Sequence, residues 1–287
     1  TTDWSASPPT SYTFPAAGTQ TLYAWAKDAA GNVSASVSAS VVITLAAPQT
    51  IFYDDFTGSS LDSSKWTAVS RQGDYTNNED VCYSPSQVTV SGGYLTITSL
   101  YQTTSCGDST HGSANHSVLS GFIYTPNFTF TYGTVEVKGT LGAGANGPWP
   151  TIWLLGHNCQ SGLDLNAESG TSCNWDLPGS DEIDMAEFMG TATGDDQSIH
   201  TNGHDVAQTT TVSDASANTH IYQLVWQPGM ITWKVDGTVT YTVSQSWVPS
   251  TPMFLIIDSA AGGQGGTPRS SAYPKRTVID YVKITQP

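Results

Sequence analysis

The segment EIDMAE (residues 182–187) places three carboxylates within six residues whose other side chains are apolar and suit a strand. In a regular strand, residues two apart share a face, so Glu182 and Asp184 lie on the same side. Glu187 comes five positions after Glu182 and would point the opposite way. A β-bulge, one extra residue in the strand, resets the alternation, and the Met-Ala pair inside the segment is the expected place for it. The segment therefore predicts a bulged strand that turns three acids toward one cleft.

Two carboxylates on one surface favour glycoside hydrolysis. In that reaction one carboxylate acts as nucleophile or base, while the other protonates the leaving oxygen. Like charges at close range resist joint ionisation, which keeps the acid protonated near neutral pH. Asp184, between the glutamates, would hydrogen-bond the nucleophile and tune that proton. A calcium site or a solvated strand face are the alternatives, but calcium loops interleave Gly, Asn and Asp in turn-forming sequence. The Ile, Met and Ala side chains here suit a packed sheet, so catalysis is favoured.

The rest of the chain predicts an all-β fold. Among 287 residues there are 27 Gly and 15 Pro, and no long stretch keeps a helical period. Residues 133–138 (GTVEVK) instead alternate with a period of two. About a dozen such runs follow residue 50. They predict a sandwich of two sheets, one of them curved around a groove.

The first part of the chain differs in residue pattern from the rest. Residues 19–27 and 33–43 are expected to be strands, joined by a turn cluster at residues 28–32. Residues 22–34 resemble the closing strands of bacterial immunoglobulin-like modules, which take roughly 100 residues. This part is therefore expected to be a partial module of that kind. The expected organisation is a partial module, a linker and a main catalytic domain, at residues 1–46, 47–50 and 51–287.

The charge balance indicates a neutral partner. The formal net charge is −15, with 9 Lys and Arg against 24 Asp and Glu. This balance argues against binding to nucleic acid or anionic membranes, and against sulfated or uronate-rich polysaccharides that need cationic subsites. The longest apolar runs, such as residues 253–257 (MFLII), are too short to span a bilayer. We expect a neutral polysaccharide as the partner and a monomeric protein.

The four cysteines, Cys82, Cys106, Cys159 and Cys173, allow three pairings. Cys159 and Cys173 bracket a loop rich in Gly, Asn and Asp and are expected to close it, which leaves Cys82 with Cys106. A zinc site is the alternative, but the spacings contain no C-x-x-C pair. Disulfides together with a Ser/Thr-rich surface predict a secreted, extracellular bacterial protein.

Tryptophans near the acids are candidate sugar platforms, because sugar rings have apolar faces that stack on aromatic rings. Trp149 and Trp153 are four residues apart and therefore share one strand face. Trp175 comes just before the acid segment. Trp149 and Trp175 adjoin loops containing Pro and Gly, which favours a platform role. For Trp153, platform and core are equally good interpretations.

Several other residues have a structural interpretation beside the functional one. His200 follows the acid strand by one connection and could reach the leaving-group side of the cleft, or be a structural histidine. Asn78 and Glu79, in the polar NNE segment, could hydrogen-bond sugar hydroxyls or form a turn. Trp226 and Trp233 lie in alternating segments and are interpreted as core or sheet surface.

The order of these motifs resembles glycoside hydrolase family 16. The resemblance begins with WPTIWLLG (residues 149–156), followed by the acid segment. Further matches are YGTVEV (132–137), YQLVW (222–226), KVDG (234–237) and DYVK (280–283). The resemblance implies a β-jelly-roll sandwich with a concave cleft, and retaining hydrolysis without a catalytic cofactor. It also implies roles for the acids, with Glu182 as nucleophile, Asp184 as helper and Glu187 as general acid/base.

The bulged acid motif is similar to that of laminarinases, agarases and carrageenases, and differs from the shorter motif of lichenases and xyloglucan enzymes. Within that branch, Asn78 and Glu79 resemble the Asn-Glu segment that lines the non-reducing side of the laminarinase cleft, and Trp175 is also laminarinase-like. The family often binds a structural calcium ion away from the cleft. The similar positions in this chain are Asp55, Gly93 and Asp280, where the acids could equally cap turns.

The chain departs from the laminarinase pattern at two places. Residues 120–122 read Ser-Gly-Phe where laminarinases commonly have Ser-Gly-Arg, which removes a cationic sugar contact. The loop at residues 159–173 is longer than expected and could block or reshape one end of the cleft. The sequence predicts a secreted endo-β-1,3-glucanase that acts by double displacement, with mixed β-1,3/1,4-glucan as a second substrate. The alternatives are a hydrolase of a neutral galactan such as agarose and a non-catalytic carbohydrate-binding sandwich.

Overall fold

The chain forms two compact units in the computed structural model, residues 1–49 and residues 50–286. The structure describes residues 4–7, 10–12, 14, 17–44, 47–74, 77–108, 112–160, 173–175 and 177–287. Within these ranges, no helix has the length and apolarity needed to cross a membrane.

The first unit contains one antiparallel hairpin. Strand β1 (Gly18–Ala24) pairs with β2 (Val37–Ile43) along its whole length. In the connection, Asp28 Oδ1 accepts a hydrogen bond from the backbone N–H of Asn32 at 2.8 Å, as expected of a turn closed by an aspartate. Both predicted strands and the turn between them are present, and the relation of this hairpin to immunoglobulin-like modules stays a prediction.

The second unit is built from strands and short 3₁₀ turns. Its strands, β3 to β20 in chain order, are Gln49–Asp54, Thr67–Ala68, Arg71–Gln72, Val81–Tyr83, Val88–Ser91, Tyr94–Asp108, Gly112–Ser120, Phe122–Tyr124, Gly133–Thr140, Pro148–Gly156, Glu182–Glu187, Gly194–Thr201, His204–Thr211, His220–Gln227, Met230–Val235, Thr238–Ser244, Met253–Ala261 and Lys275–Gln286. The 3₁₀ turns are Pro85–Gln87, His157–Cys159, Gly263–Gly265 and Ser270–Ala272.

These strands form two large sheets. The first has seven strands in the order β15-β14-β13-β12-β19-β10-β4. The second has eleven: nine follow the order β18-β17-β16-β11-β20-β8-β9-β6-β5, while β3 pairs with β20 and β7 pairs with β8 beside this path. Burial alternates with a period of two along β11, whose Val135 and Val137 face the core. The predicted all-β sandwich is therefore confirmed.

The main core lies between the two sheets. Its largest fully buried side chains include Trp66, Tyr222, Trp226 and Trp233. Trp226 and Trp233 were predicted to be core or sheet surface, and both are fully buried. Fully burying an apolar side chain of this kind contributes about 2–3 kcal/mol, so these rings anchor the sheet that faces the acid strand.

A second, smaller apolar cluster lies on the other face of the seven-stranded sheet. Leu155 of β12 and Phe254 of β19 are cross-strand partners in it. Tyr83, from the far end of the eleven-stranded sheet, packs edge-to-face on Phe122 in the same cluster, with ring centroids 5.1 Å apart. The end of the larger sheet thus covers part of the face that carries the acids.

Two disulfides connect the expected cysteines. Cys82 pairs with Cys106, and Cys159 pairs with Cys173, so both predicted pairings are confirmed. Cys159 and Cys173 are fully buried in the second cluster. The long loop predicted between them falls at residues 161–172, which lie outside the described residues.

Candidate active site

The acid segment forms β13, and its pairing with β12 is broken by a bulge. Ile152 pairs with Ala186 and Trp153 pairs with Asp184, so Met185 has no partner across the strand. One extra residue reverses the alternation of side chains after it. The bulge was predicted at the Met-Ala pair, and the structure confirms it.

The bulge brings the three predicted acids to the same cleft. Thr151 pairs with Glu187 across β12 and β13, so the acid lies beside a cleft-facing position of β12. Glu182, Asp184 and Glu187 all line the cavities of this face. Asp184 is 4% exposed, so the two glutamates flank a buried aspartate as the sequence predicted.

The cleft itself has a volume of about 290 Å³ and continues into a smaller cavity of about 50 Å³. Its walls come from strands β12 to β15 and from loops on either side. They consist of Asp74, Asn77, Trp149, Trp175, Glu182, Glu187, Met189, Asp196, Ser198, His200, Asp205, Ala207 and Gln264. The lining is polar and acidic with two tryptophans, which is suited to a neutral sugar rather than an anionic one.

Burial raises the pKa of both Glu182 and Glu187, and the neighbouring Asp184 carboxylate raises both further. The pKa of Glu187 lies well above its usual range, and that of Glu182 is raised to about 8. The charge of His200 has the opposite effect and lowers the pKa of Glu182. The pair is therefore arranged to share a proton.

Asp184 is held by a short network from β14. Ser198 Oγ donates a hydrogen bond to Asp184 Oδ2, and the same hydroxyl lies 3.1 Å from His200 Nε2. His200 Nε2 is 3.5 Å from Asp184 Oδ2, and His200 Nδ1 is 3.2 Å from Asp205 Oδ1. Burial alone would lower the pKa of His200. The hydrogen bond with Asp184 and the charges of the surrounding carboxylates outweigh this effect and raise the pKa to about 10. His200 is thus a cation in a cleft of carboxylates.

Trp175 forms the wall beside this cation. Its ring stacks on His200 with centroids 4.6 Å apart and an interplanar angle of 16°. Its indole N–H approaches Glu182 without a well-aligned hydrogen bond, and still lowers the pKa of that carboxyl. The structure therefore brings Trp175 and His200, two of the predicted binding residues, together at the predicted nucleophile.

Trp149 and Trp153 lie on the cleft face of β12, as their spacing predicted. Trp149 Nε1 donates to Glu187 Oε1 at 2.8 Å, and the ring is 4% exposed. Trp153 Nε1 donates to Asp258 Oδ1 at 2.9 Å, and its half-buried ring lines the smaller cavity. Both tryptophans therefore hold carboxyl groups in addition to presenting apolar surface.

The two residues predicted from the NNE segment, Asn78 and Glu79, differ in their position relative to the cleft. Asn78 is exposed, with a left-handed φ of 56°, and does not line either cavity among the described residues. A left-handed residue at a turn projects its side chain away from the path of its neighbours, and Asn77 lines the cleft instead. Glu79 lines the smaller cavity, where Glu79 Oε2 accepts hydrogen bonds from the Asp74 N–H and the Tyr83 hydroxyl, both at 2.9 Å.

Several cleft residues were not found from the sequence. Ser198, Asp205 and Asp258 contact predicted site residues, as do Asp74 and Tyr83 through Glu79. Ser198 and Asp205 lie in strands rich in polar residues, and Asp258 follows the apolar run of β19, so none of them belongs to a motif that indicates a site. Only the strand order brings β14, β15 and β19 to the acids. One feature of the sequence could have indicated Ser198: it lies two residues before His200 and therefore shares a strand face with it.

Two of the three residues assigned to calcium, Asp55 and Asp280, have other side-chain partners. Asp280 Oδ2 lies 2.7 Å from Lys138 Nζ, and Asp55 Oδ1 accepts from Thr57 Oγ1 at 3.0 Å. Gly93 lies in the turn between β7 and β8 with φ at 81°. A lysine ammonium on the carboxylate disfavours a second cation there. The side chains present do not fit a calcium site, which stays an expectation of the resemblance alone.

Three comparisons with known proteins bear on this site. The model of Glycosyl hydrolases family 16 matches residues 75–283. A glucan endo-1,3-beta-glucosidase A1 of Niallia circulans is 29% identical over 271 residues, which cover 82% of this chain and 37% of that protein. A beta-glucanase of Rhodothermus marinus is 27% identical over 202 residues, covering 60% of this chain and 65% of that protein. The chain thus spans less than two thirds of the length of these relatives.

Solved structures share the fold. An endo-beta-1,3-glucanase from Pyrococcus furiosus superimposes with a TM-score of 0.71 at 25% identity, covering 83% of this chain and 94% of that one. A Zobellia galactanivorans protein in complex with laminaritriose and laminaritetraose gives a TM-score of 0.70 at 26% identity, covering 83% and 98%. The family match includes β13 and most of the sandwich. The chain therefore belongs to glycosyl hydrolases family 16.

Proposed function

We propose that the chain is a retaining endo-β-1,3-glucanase that uses Glu182 as nucleophile and Glu187 as general acid/base. The observation that carries this proposal is the Met185 bulge, which turns Glu187 to the face of Glu182 and Asp184. A carbohydrate-binding sandwich has no use for three carboxylates at one point of its cleft, because each costs desolvation free energy there. Membership of a family of glycosyl hydrolases supports the same conclusion.

In the first step, a Glu182 oxygen attacks the anomeric carbon and forms a glycosyl ester. The bond from that carbon to the leaving oxygen breaks, and the proton of Glu187 passes to the leaving oxygen. The raised pKa of Glu187 supports this role, because burial and Asp184 keep the carboxyl protonated. Retention requires carboxyl groups about 5–5.5 Å apart.

In the second step, Glu187 is ionised and removes a proton from water. The water oxygen attacks the anomeric carbon, the ester bond breaks, and Glu182 leaves as a carboxylate. Asp184 accepts a hydrogen bond from Ser198 Oγ and lies 3.5 Å from His200 Nε2. Its charge then favours return of a proton to Glu187, so the site is ready for another cycle.

The cleft supports a neutral β-glucan as the substrate. Its carboxylates repel anionic polysaccharides, and the half-buried ring of Trp175 offers surface to sugar faces. Relatives named as glucan endo-1,3-beta-glucosidase and beta-glucanase support a β-1,3-glucan, with mixed β-1,3/1,4-glucan as a second substrate. Phe122, where laminarinases commonly carry Arg, is 1% exposed and lines the smaller cavity. We infer that it gives that end of the cleft an apolar wall.

The cellular location of the protein is inferred from its disulfides. The two disulfides favour an oxidising, extracellular environment, where a glucanase meets its polymer. We propose that the protein is secreted and acts as a monomer.

A substrate panel tests the function. The protein is incubated with laminarin, curdlan, lichenan and agarose, and the products are separated by size. We expect a ladder of oligosaccharides from laminarin, and no release of reducing sugar from it by Glu182→Gln or Glu187→Gln. Cleavage of agarose alone would assign the galactan alternative, and binding of laminarin without cleavage would assign the non-catalytic one.

A further inference from the structure

Asp195 is a carboxyl group buried beside the acid strand, and the proposed reaction does not use it. It lies in β14 and is fully buried, whereas the next residue, Asp196, lines the cleft. Successive side chains of a strand point to opposite faces, so Asp195 points away from the cleft and into the core. Burial raises the pKa of Asp195 well above its usual range. A carboxyl group in such a place costs desolvation free energy, so its contacts should indicate what it does.

One contact of Asp195 leads to the proposed general acid. The backbone N–H of Glu187 donates a hydrogen bond to Asp195 Oδ1 at 2.9 Å. Glu187 follows the bulge, and the pairing of β13 with β14 shifts register between Asp184 and Glu187. A bulge interrupts the ladder, so backbone groups beside it need other partners. Asp195 supplies the acceptor for the N–H of Glu187.

The other oxygen of Asp195 is held by a row of side chains that ends in the larger sheet. Gln197 Nε2 donates to Asp195 Oδ2 at 3.0 Å, and Thr240 Oγ1 of β18 donates to Gln197 Oε1 at 2.8 Å. Gln197 is buried as well and shares the core face of β14 with Asp195. Both oxygens of Asp195 thus have donors, so the carboxyl cannot turn without breaking one of these hydrogen bonds.

Glu187 is therefore held at two points. Asp195 holds its backbone from the core, and Trp149 Nε1 holds its carboxyl group at 2.8 Å. A general acid must lie within hydrogen-bond reach of the oxygen that it protonates. A displacement of about 1 Å costs up to about a hundredfold in rate. The contact with Trp149 fixes the tip of a long side chain, and the contact with Asp195 fixes the backbone from which that side chain starts.

We propose that Asp195 is a positioning residue for the reaction, which holds the backbone of Glu187 from the core and thereby places the Glu187 carboxyl at the leaving oxygen. Asp195 itself does not touch the sugar. The inference rests on the proposed function for the role of Glu187. Loss of the contact should impair bond cleavage that needs a proton from Glu187, and should spare bond cleavage that needs none.

Two substitutions separate the acceptor atom from the shape of the side chain. Asp195→Leu keeps a similar shape and removes the acceptor. Asp195→Asn keeps an oxygen for the Glu187 N–H, and its amide N–H is accepted by Gln197 once the Gln197 amide turns over and donates to the Thr240 hydroxyl. We expect kcat/KM for laminarin to fall about tenfold in Asp195→Leu and to stay within about twofold of the wild type in Asp195→Asn.

A second substrate distinguishes positioning of the acid from general damage to the cleft. In 2,4-dinitrophenyl β-laminaribioside, the leaving group departs as a stable phenolate and needs no proton from Glu187. The value of kcat/KM covers the reaction up to formation of the glycosyl ester, so it excludes the second step. For this substrate, Asp195→Leu should stay within about twofold of the wild type, whereas a distorted cleft would impair both substrates.

Asp54→Leu is the matched control. Asp54 is 6% exposed, and it also accepts one backbone N–H and one side-chain N–H. These donors are the Phe56 N–H at 3.0 Å and Trp66 Nε1 at 2.9 Å, in and beside β3. This variant should lose stability, as Asp195→Leu does, and keep the wild-type kcat/KM for both substrates.

Two results would overturn the inference. One is an equal fall of kcat/KM for both substrates in Asp195→Leu, and the other is a fall in Asp195→Asn as large as that in Asp195→Leu. If Asp195→Leu does not fold, Gln197→Met replaces it. This variant removes the donor to Asp195 Oδ2 and should show the same difference between the two substrates, and an equal effect on both would again overturn the inference.

A wild-type protein without activity on any glucan would instead contradict the proposed function. The contact between Asp195 and Glu187 is then measured directly, by hydrogen exchange of the Glu187 amide followed by NMR. Exchange should be faster in Asp195→Leu than in the wild type and in Asp195→Asn. Equal exchange in all three proteins would overturn the inference.

Discussion

Trp233 Nε1 donates a hydrogen bond to the backbone carbonyl oxygen of Asp184 at 2.7 Å. Trp233 belongs to β17 of the eleven-stranded sheet, whereas Asp184 precedes the bulge in β13 of the other sheet. A bulge interrupts the ladder and leaves backbone groups without a strand partner. The indole thus crosses the core to satisfy a carbonyl at the proposed catalytic centre.

Replacing Trp233 by Phe should lower both stability and activity. The carbonyl of Asp184 loses its donor in a buried place, which costs about 1–3 kcal/mol. The bulge then fixes Glu187 less firmly, and kcat should fall about tenfold, since proton transfer depends on position. Chemical denaturation and steady-state kinetics on laminarin measure the two effects.

Trp226→Phe is the matched control. Trp226 is fully buried as well, and its Nε1 donates to the Pro249 carbonyl at 2.8 Å, away from β13. It should lose a similar free energy of unfolding and keep its kcat once folded. An equal loss of kcat in both variants would contradict a specific role for Trp233.

Replacing Trp149 by Phe should move the alkaline limb of the pH–rate profile to higher pH. The hydrogen bond from Trp149 stabilises the ionised form of Glu187 and lowers its pKa. Without the bond, the pKa of Glu187 rises, so the acid stays protonated to higher pH. We expect kcat to fall about threefold to tenfold, because one hydrogen bond to a charged group is lost.

The profile of kcat against pH for Trp149→Phe is compared with that of Trp247→Phe. Trp247 stacks on His204 with centroids 4.4 Å apart, outside the cleft lining. This control should keep the wild-type profile. If the alkaline limb of Trp149→Phe moved toward lower pH instead, the indole would not act by stabilising the ionised form of Glu187.

Replacing His200 by Ala should move the acid limb of kcat/KM to higher pH. The charge of His200 lowers the pKa of Glu182, which must be ionised to attack. Without that charge, only the indole of Trp175 opposes burial and Asp184, and the pKa of Glu182 rises. The rate at pH 6 should fall more than the rate at pH 8, and a uniform loss across pH would contradict the electrostatic role.

Stability should decrease as the pH becomes alkaline. The pKa of Glu79 is raised from 4.5 to about 8, so the folded state retains a proton that the unfolded state has lost between these values. His200 acts in the same direction, because its stabilising charge is present below pH 6.5 and is lost as the pH rises through about 10. The melting temperature should therefore be higher near pH 5.5 than near pH 9. A higher value at pH 9 would contradict these two assignments.

The local features of the site could be predicted from the sequence. The bulge at Met185, the shared face of the acids and the cysteine pairs all follow from residue periodicity or spacing along the chain. Asn78 stays a prediction as a substrate-binding residue: it is exposed with a left-handed backbone, and its neighbour Asn77 lines the cleft.

The contacts across the fold could not be predicted in this way. Trp233 reaches Asp184 across the sandwich, and Tyr83 reaches Asp258 from the far end of the other sheet. The two residues of each pair are separated by 49 and 175 positions in the chain. Such contacts depend on strand order and on the curvature of the larger sheet, which no local pattern encodes.

The central claim is that Glu182 forms the covalent bond to the sugar. The most direct test treats the protein with a 2-deoxy-2-fluoro laminaribiosyl fluoride, which slows the second step, and locates the added mass by peptide mapping. The account predicts one glycosyl group on the peptide that contains β13, at Glu182, and no label in Glu182→Gln. A label on Glu187, or products that form with an inverted anomeric configuration, would contradict it.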